Sequence, residues 1–202
     1  YLLKNNKIIA SIYLEDEISK GSPELIKYLK SKNINILMLT GDNEKKAKLI
    51  ADKLGIDNFL SDLLPSDKYD VIEDLKSDKN NKIMYLGDGI NDAPSLNLAD
   101  VSITPYKSSD IANESSDIYL LNEDLSLIID IFKLSKYTHN IIFINIIWAF
   151  IYNIVAMLFA IGIFIPFGIG LEAWMSALSM SLSSICVILT SLTINFAIKK
   201  RK

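Results

Sequence analysis

Apolar residues fall into two regimes along the 202 residues of this chain: short runs broken by polar stretches as far as about residue 140, then two long uncharged runs. In the first regime residues 8–14 read as a strand, with Lys4-Asn5-Asn6-Lys7 before it as a hairpin turn. Ser22-Pro23-Glu24 predicts a helix start, with a capping hydroxyl, a proline at the first helical position and an acid in the first turn. Leu25, Ile26 and Leu29 give that helix its apolar face, and it is expected to end near Lys32. The continuous apolar run 34–39 predicts a parallel strand buried on both faces. Behind Glu44, the spacing of Ala47, Ile50, Ala51 and Leu54 predicts a helix that Gly55 terminates.

The alternation continues with a strand at 57–60, a helix at 66–76, a strand at 83–87, a helix at 92–98 and strands at 101–103 and 118–121. Strands alternating with helices of about ten residues predict an α/β fold, a doubly wound parallel sheet whose ligands sit at the strand C-termini. Thr40 and Asp88 fall at two such ends. A helix at 124–137 leads out of this region, with Lys133, Lys136 and His139 near its end.

The second regime consists of runs 141–165 and 173–198, joined by 166–172, with Glu172 the only formal charge between Ile141 and Ile198. Each run is long enough to cross a hydrocarbon core of about 30 Å, so a two-helix transmembrane hairpin is expected. Basic residues precede the first span and follow the second, in Lys199-Lys200-Arg201-Lys202. Both ends are therefore expected on the cytoplasmic side of the membrane, with the short loop outside. The overall charge of −3 and the lack of a basic face argue against a nucleic-acid partner. A lone cysteine, Cys186, excludes an internal disulfide; it is expected as a packed thiol. The chain begins in mid-pattern at Tyr1 without a methionine, which leads us to expect a piece of a longer protein.

The densest chemistry lies in Gly87-Asp88-Gly89-Ile90-Asn91-Asp92-Ala93-Pro94. Two carboxylates four residues apart, in a glycine-bent loop after an apolar strand, suit Mg²⁺, which takes one or two protein carboxylates and completes its shell with water and phosphate oxygens. With Met38-Leu39-Thr40-Gly41-Asp42-Asn43 upstream, the octet resembles the phosphorylation domain of P-type ATPases, members of the haloacid dehalogenase superfamily. The resemblance runs over nearly the whole chain. It implies ATP-driven ion transport through an aspartyl-phosphate intermediate, with Mg²⁺ as cofactor and ATP as substrate.

Carried onto this chain, the resemblance makes Thr40, Gly41 and Asp42 the phosphoryl-binding loop and Lys68 the cation that balances the phosphate. It makes Asp88 and Asp92 the candidate Mg²⁺ ligands, with Asn91 and Asp92 also holding the loop and the neighbouring phosphate site. The nucleophilic Asp-Lys-Thr-Gly of the family is not found in the chain, which alone is expected to be inactive. Thr104-Pro105-Tyr106-Lys107-Ser108-Ser109 stands where the family usually has a glycine-rich turn.

In the apolar region Met180, Ser183 and Ser184 share a helical face that Ser176 and Ser191 extend, and Tyr152-Asn153 lies at mid-depth of the first span. Polar groups there are costly unless they face a bundle interior, so Tyr152, Asn153, Met180, Ser183 and Ser184 are the candidate path of the transported ion. They are similar to the signature pairs of the copper-transporting subgroup, and a thioether suits Cu⁺. Ag⁺ or Zn²⁺ is the alternative cargo. A membrane-anchored Mg²⁺- and phosphate-binding module with a regulatory role is the alternative class.

The expected organisation is therefore closing strands of an upstream nucleotide-binding domain at 1–14, the phosphorylation domain at 15–123 and a connecting helix at 124–140. Two spans at 141–165 and 173–198 and a basic tail at 199–202 follow. The expected partners are the transported ion, the lipid bilayer and a cytosolic metal chaperone; the expected location is the cell membrane.

Overall fold

The computed structural model describes residues 2–4, 7–11, 17–87, 90–106, 114–168, 181 and 184–194. Contacts divide the chain into two units, Tyr1–Ile129 and Asp130–Lys202, which are described in turn.

The first unit opens with an antiparallel hairpin of β1 (Leu2–Lys4) and β2 (Lys7–Ala10), whose four large apolar side chains at 2, 3, 8 and 9 are all exposed. The strand expected over 8–14 ends at Ala10, and residues 12–16 lie outside the described ones. Helix α1 (Ser22–Ser31) starts one residue earlier than its hydroxyl suggested. Gly21, at φ 79°, is the N-cap, and Ser22 is the first helical residue and makes no side-chain cap. Leu25 and Leu29 are buried beneath it, as the periodicity demands.

Two parallel sheets follow: β3 (Leu37–Leu39) with β4 (Asn58–Leu60), and β5 (Met84–Leu86), β6 (Val101–Thr104) and β7 (Ile118–Tyr119) in that order. Between them run α2 (Glu44–Leu54), α3 (Pro65–Ser77) and, after a 3₁₀ turn Ile90–Asp92, the short α4 (Ala93–Leu98). Four of the five strands are shorter than the runs that predicted them, because the ends of those runs, such as the exposed Ile34 and Leu121, lie outside the ladders; β6 runs one residue further, to Thr104. Helix α2 matches its expected bounds. Asn43 caps it by accepting Lys46 N–H at 3.0 Å, and Gly55, at φ 71°, closes it. Ile72, Tyr85 and Leu96 form one core cluster, and Leu39 at the end of β3 packs against it. Burying a side chain such as Leu96, 1% exposed, is worth about 1.5–3 kcal/mol.

Helix α5 (Leu127–Ala160) is the main departure from expectation: the connecting helix and the first span are one uninterrupted helix of 34 residues. No glycine or proline falls inside it, and the change from charged to apolar side chains near residue 140 does not disturb backbone hydrogen bonding. It stops short of residue 165 because the backbone turns at Gly162, φ 83°, into a 3₁₀ turn Ile165–Phe167.

In the second unit α5 is, among the described residues, the one helix long and apolar enough to cross a membrane. Of the second expected span only Ser181 and the helical segment Ser184–Ile194 are described. Side chains of that segment bond to α5. Asn145 Nδ2 donates to Ser191 Oγ at 3.3 Å, and Tyr137 OH to Thr193 Oγ1 at 3.4 Å. Cys186 is exposed rather than packed: the half-buried residues of this segment are Val187, Thr190, Ser191 and Ile194.

Candidate functional site

The loop Thr40-Gly41-Asp42 leaves the C-terminal end of β3 and is clipped to the loop after β4. Thr40 N donates to Leu60 O at 3.0 Å, Leu63 N to Thr40 O at 3.1 Å and Asp62 N to Asp42 O at 2.9 Å. Gly41 permits this approach, since a Cβ there would lie 3.2 Å from Leu63 O. Within the loop Asp42 N donates to Thr40 Oγ1 at 3.1 Å, and Lys46 Nζ pairs with Asp42 Oδ1 at 3.0 Å. Lys46 was not singled out from the sequence. The available signal was its place four residues beyond Asp42, in the first turn of α2, where a lysine can reach back to the carboxylate.

The second group forms around Asp92. Lys68, in the first turn of α3, places Nζ 2.9 Å from Asp92 Oδ1; the lysine side chain is 20% exposed and the aspartate 9%. Tyr85 OH donates to the same oxygen at 3.0 Å. Helix α3 is held at this edge by Pro65 at its first position and by Asp67, whose Oδ2 accepts Leu64 N–H at 2.8 Å. Asp92 is thus a bonded acceptor rather than a side-chain cap of α4. Asn91 is exposed beside it. Asp88 lies outside the described residues. The two groups are neighbours through Leu39, which precedes Thr40 and packs on the cluster containing Tyr85.

Carboxylates away from the site fasten the strands. The Ile83 N–H holds Asp100 below the usual carboxylate range, against an opposing push from burial and with help from the Lys76 and Lys82 charges. Asp117 is lowered by the backbone N–H and then the hydroxyl of Ser102, at 2.8 and 2.9 Å, which ties β6 to the approach of β7.

In the apolar helix the expected ion-path residues separate. Tyr152 turns its hydroxyl inward, buried and without a hydrogen-bond partner among the described residues, as is Asn145 Oδ1 two turns earlier on the same face. Asn153 points elsewhere: it is exposed, and its Nδ2 donates to Ala149 O of its own helix at 2.8 Å. Ser184 is exposed, and Met180 and Ser183 lie outside the described residues.

Parallel strands whose C-terminal edges gather a hydroxyl loop, a lysine and a buried aspartate make up a region that a family model of haloacid dehalogenase-like hydrolases matches over residues 2–100. Relatives extend the likeness beyond that region. The chain is 39% identical over 197 residues to a copper-transporting ATPase of Helicobacter pylori, covering 97% of this chain and 26% of the relative. It is 39% identical to a probable copper-transporting P-type ATPase B of Staphylococcus aureus, covering 96% of this chain and 29% of the relative. A crystal structure of a zinc-transporting PIB-type ATPase in the E2.Pi state superposes with TM-score 0.80 at 27% identity, covering 95% of this chain and 30% of that one. The catalytic domain of a CPx-ATPase superposes with TM-score 0.56 at 36% identity, covering 64% and 51%. The likeness to P-type ATPases thus runs over nearly the whole chain. The chain spans about a quarter of the length of the curated relatives it matches.

Proposed function

We propose that this chain is part of an ATP-driven heavy-metal pump that exports Cu⁺ through an aspartyl-phosphate intermediate. The observation that carries the reading is the Lys68–Asp92 ion pair at the sheet's C-terminal edge, 2.9 Å long and largely buried. An ammonium held there balances a phosphoryl group delivered to the strand ends, and the Thr40 hydroxyl and loop amides supply neutral donors to its equatorial oxygens. The nucleophilic aspartate comes from outside this chain. The copper-transporting relatives support Cu⁺ as the cargo. The likeness to a zinc-transporting structure keeps Zn²⁺ as the second reading; Ag⁺ shares the softness of Cu⁺ and is tested beside it.

The residues present suit Mg²⁺. Asp92 offers a hard oxygen donor at the strand edge, and the missing side chain of Gly87 leaves room there that a Cβ would fill, 2.9 Å from Asp92 Cβ. Asp88 and Asp92 would hold the ion, which when bound offsets charge on the transferring phosphate. In the membrane the ion path is Tyr152, its hydroxyl turned inward, with Met180, Ser183 and Ser184, while Asn153, exposed and bonded to Ala149 O, stands apart from it. The soluble unit and the C-terminus are cytoplasmic, the membrane is the cell membrane, and a cytosolic chaperone delivers the ion.

The test is phosphoenzyme formation from ATP in the complete protein. Asp88→Asn is expected to abolish Mg²⁺-dependent phosphorylation while the protein stays folded, and Cu⁺ is expected to stimulate turnover of the wild type where Zn²⁺ does not. Normal phosphoenzyme in Asp88→Asn rejects the metal assignment. Stimulation by Zn²⁺ alone rejects the cargo.

A further inference from the structure

Tyr85 is the middle residue of β5 and is 8% exposed, a position that an apolar side chain would fill without needing a partner. Its hydroxyl instead donates to Asp92 Oδ1 at 3.0 Å, the oxygen that Lys68 Nζ reaches at 2.9 Å. Gly87 makes the meeting possible: a Cβ there would stand 2.8 Å from the tyrosine ring and 2.9 Å from Asp92 Cβ. Three elements thus converge on one carboxylate oxygen, and the phenol and the ammonium share its charge.

We propose that Tyr85 is a positioning residue for phosphoryl transfer: its hydroxyl fixes the Asp92 carboxylate and limits how firmly that carboxylate holds Lys68. The ammonium then turns to an incoming phosphate more readily than it would from an aspartate it held alone. This role rests on the phosphoryl-transfer reading above.

Tyr85→Phe in the complete protein keeps the ring and removes the hydroxyl. With inorganic phosphate as the probe, half-saturation of phosphoenzyme formation is expected to move about tenfold higher, the scale of one hydrogen bond to a charged group, at unchanged maximal level. Because the tyrosine acts through the lysine, the same substitution in a Lys68→Arg background is expected to shift half-saturation by less than about twofold. A merely structural tyrosine would lower the melting temperature and leave half-saturation where it was. That result, or an equal shift in both backgrounds, overturns the role of Tyr85 alone. A wild-type protein that takes phosphate from neither ATP nor inorganic phosphate overturns the functional reading and this role with it.

Discussion

Gly21 stands directly against Asp124. Its left-handed backbone, φ 79°, caps α1 and brings its α-carbon so close that an added methyl group would overlap Asp124 Oδ1 and the Ser126 amide. Leu125 N donates to Lys20 O at 2.8 Å across the same contact, and Asp124 Oδ1 accepts Ser126 N–H at 2.9 Å. The start of α5 is therefore seated on the turn that begins α1.

Gly21→Ala combines an unfavourable φ with that overlap and is expected to destabilise the protein by about 2–3 kcal/mol. Urea unfolding followed by circular dichroism checks this; a loss of less than about 0.5 kcal/mol would show that the turn relaxes at little cost.

Ser95 is fully buried in α4, and among the described residues its hydroxyl has no hydrogen-bond partner. Removing an unsatisfied buried hydroxyl relieves its desolvation, and alanine is the better helix former, so Ser95→Ala is expected to stabilise by about 1 kcal/mol. A measured loss of stability would mean that the hydroxyl is bonded in solution.

Asp100, Asp117 and Asp124 all have carboxyls held below their ordinary value of 3.8 by hydrogen bonds from Ile83, Ser102 and Ser126. Groups depressed on folding contribute stability that is complete above the unfolded value and is lost as pH falls through the folded one. Unfolding free energy is therefore expected to be flat above about pH 5 and to decline below 3.8. Asp117→Asn is expected to flatten that decline. An acid limb of unchanged slope in the variant would assign the loss to other groups.

Met180→Leu tests the proposed ion path by ligand softness. The exchange nearly conserves volume and should change stability by less than about 1.5 kcal/mol. Cu⁺-stimulated ATP turnover of the complete protein is expected to fall sharply. Full stimulation in the variant would reduce the methionine to packing.

Local order was readable wherever one signal decided it. Helix α2 follows from its periodicity, Asn43 and Gly55, and every expected strand from β3 onward appears, all but β6 trimmed at their ends. Contacts between distant residues were readable only through motif resemblance: nothing in spacing alone joins Lys68 to Asp92, 24 residues on. Tyr85 escaped notice because a strand tyrosine reads as core until its hydroxyl is seen to meet Asp92. The division of α5 into a connector and a span followed side-chain charge, to which the helical backbone is indifferent. Tyr152 and Asn153, adjacent in sequence, diverge because neighbours on a helix lie about 100° apart.

Helix α5 has a mechanical consequence. At 1.5 Å per residue its 34 residues make a rod of about 51 Å, some 20 Å more than a hydrocarbon core requires. No glycine or proline interrupts it, and for a helix of that length a 5° tilt about one end sweeps the other through roughly 4 Å. That stroke exceeds the diameter of a water molecule.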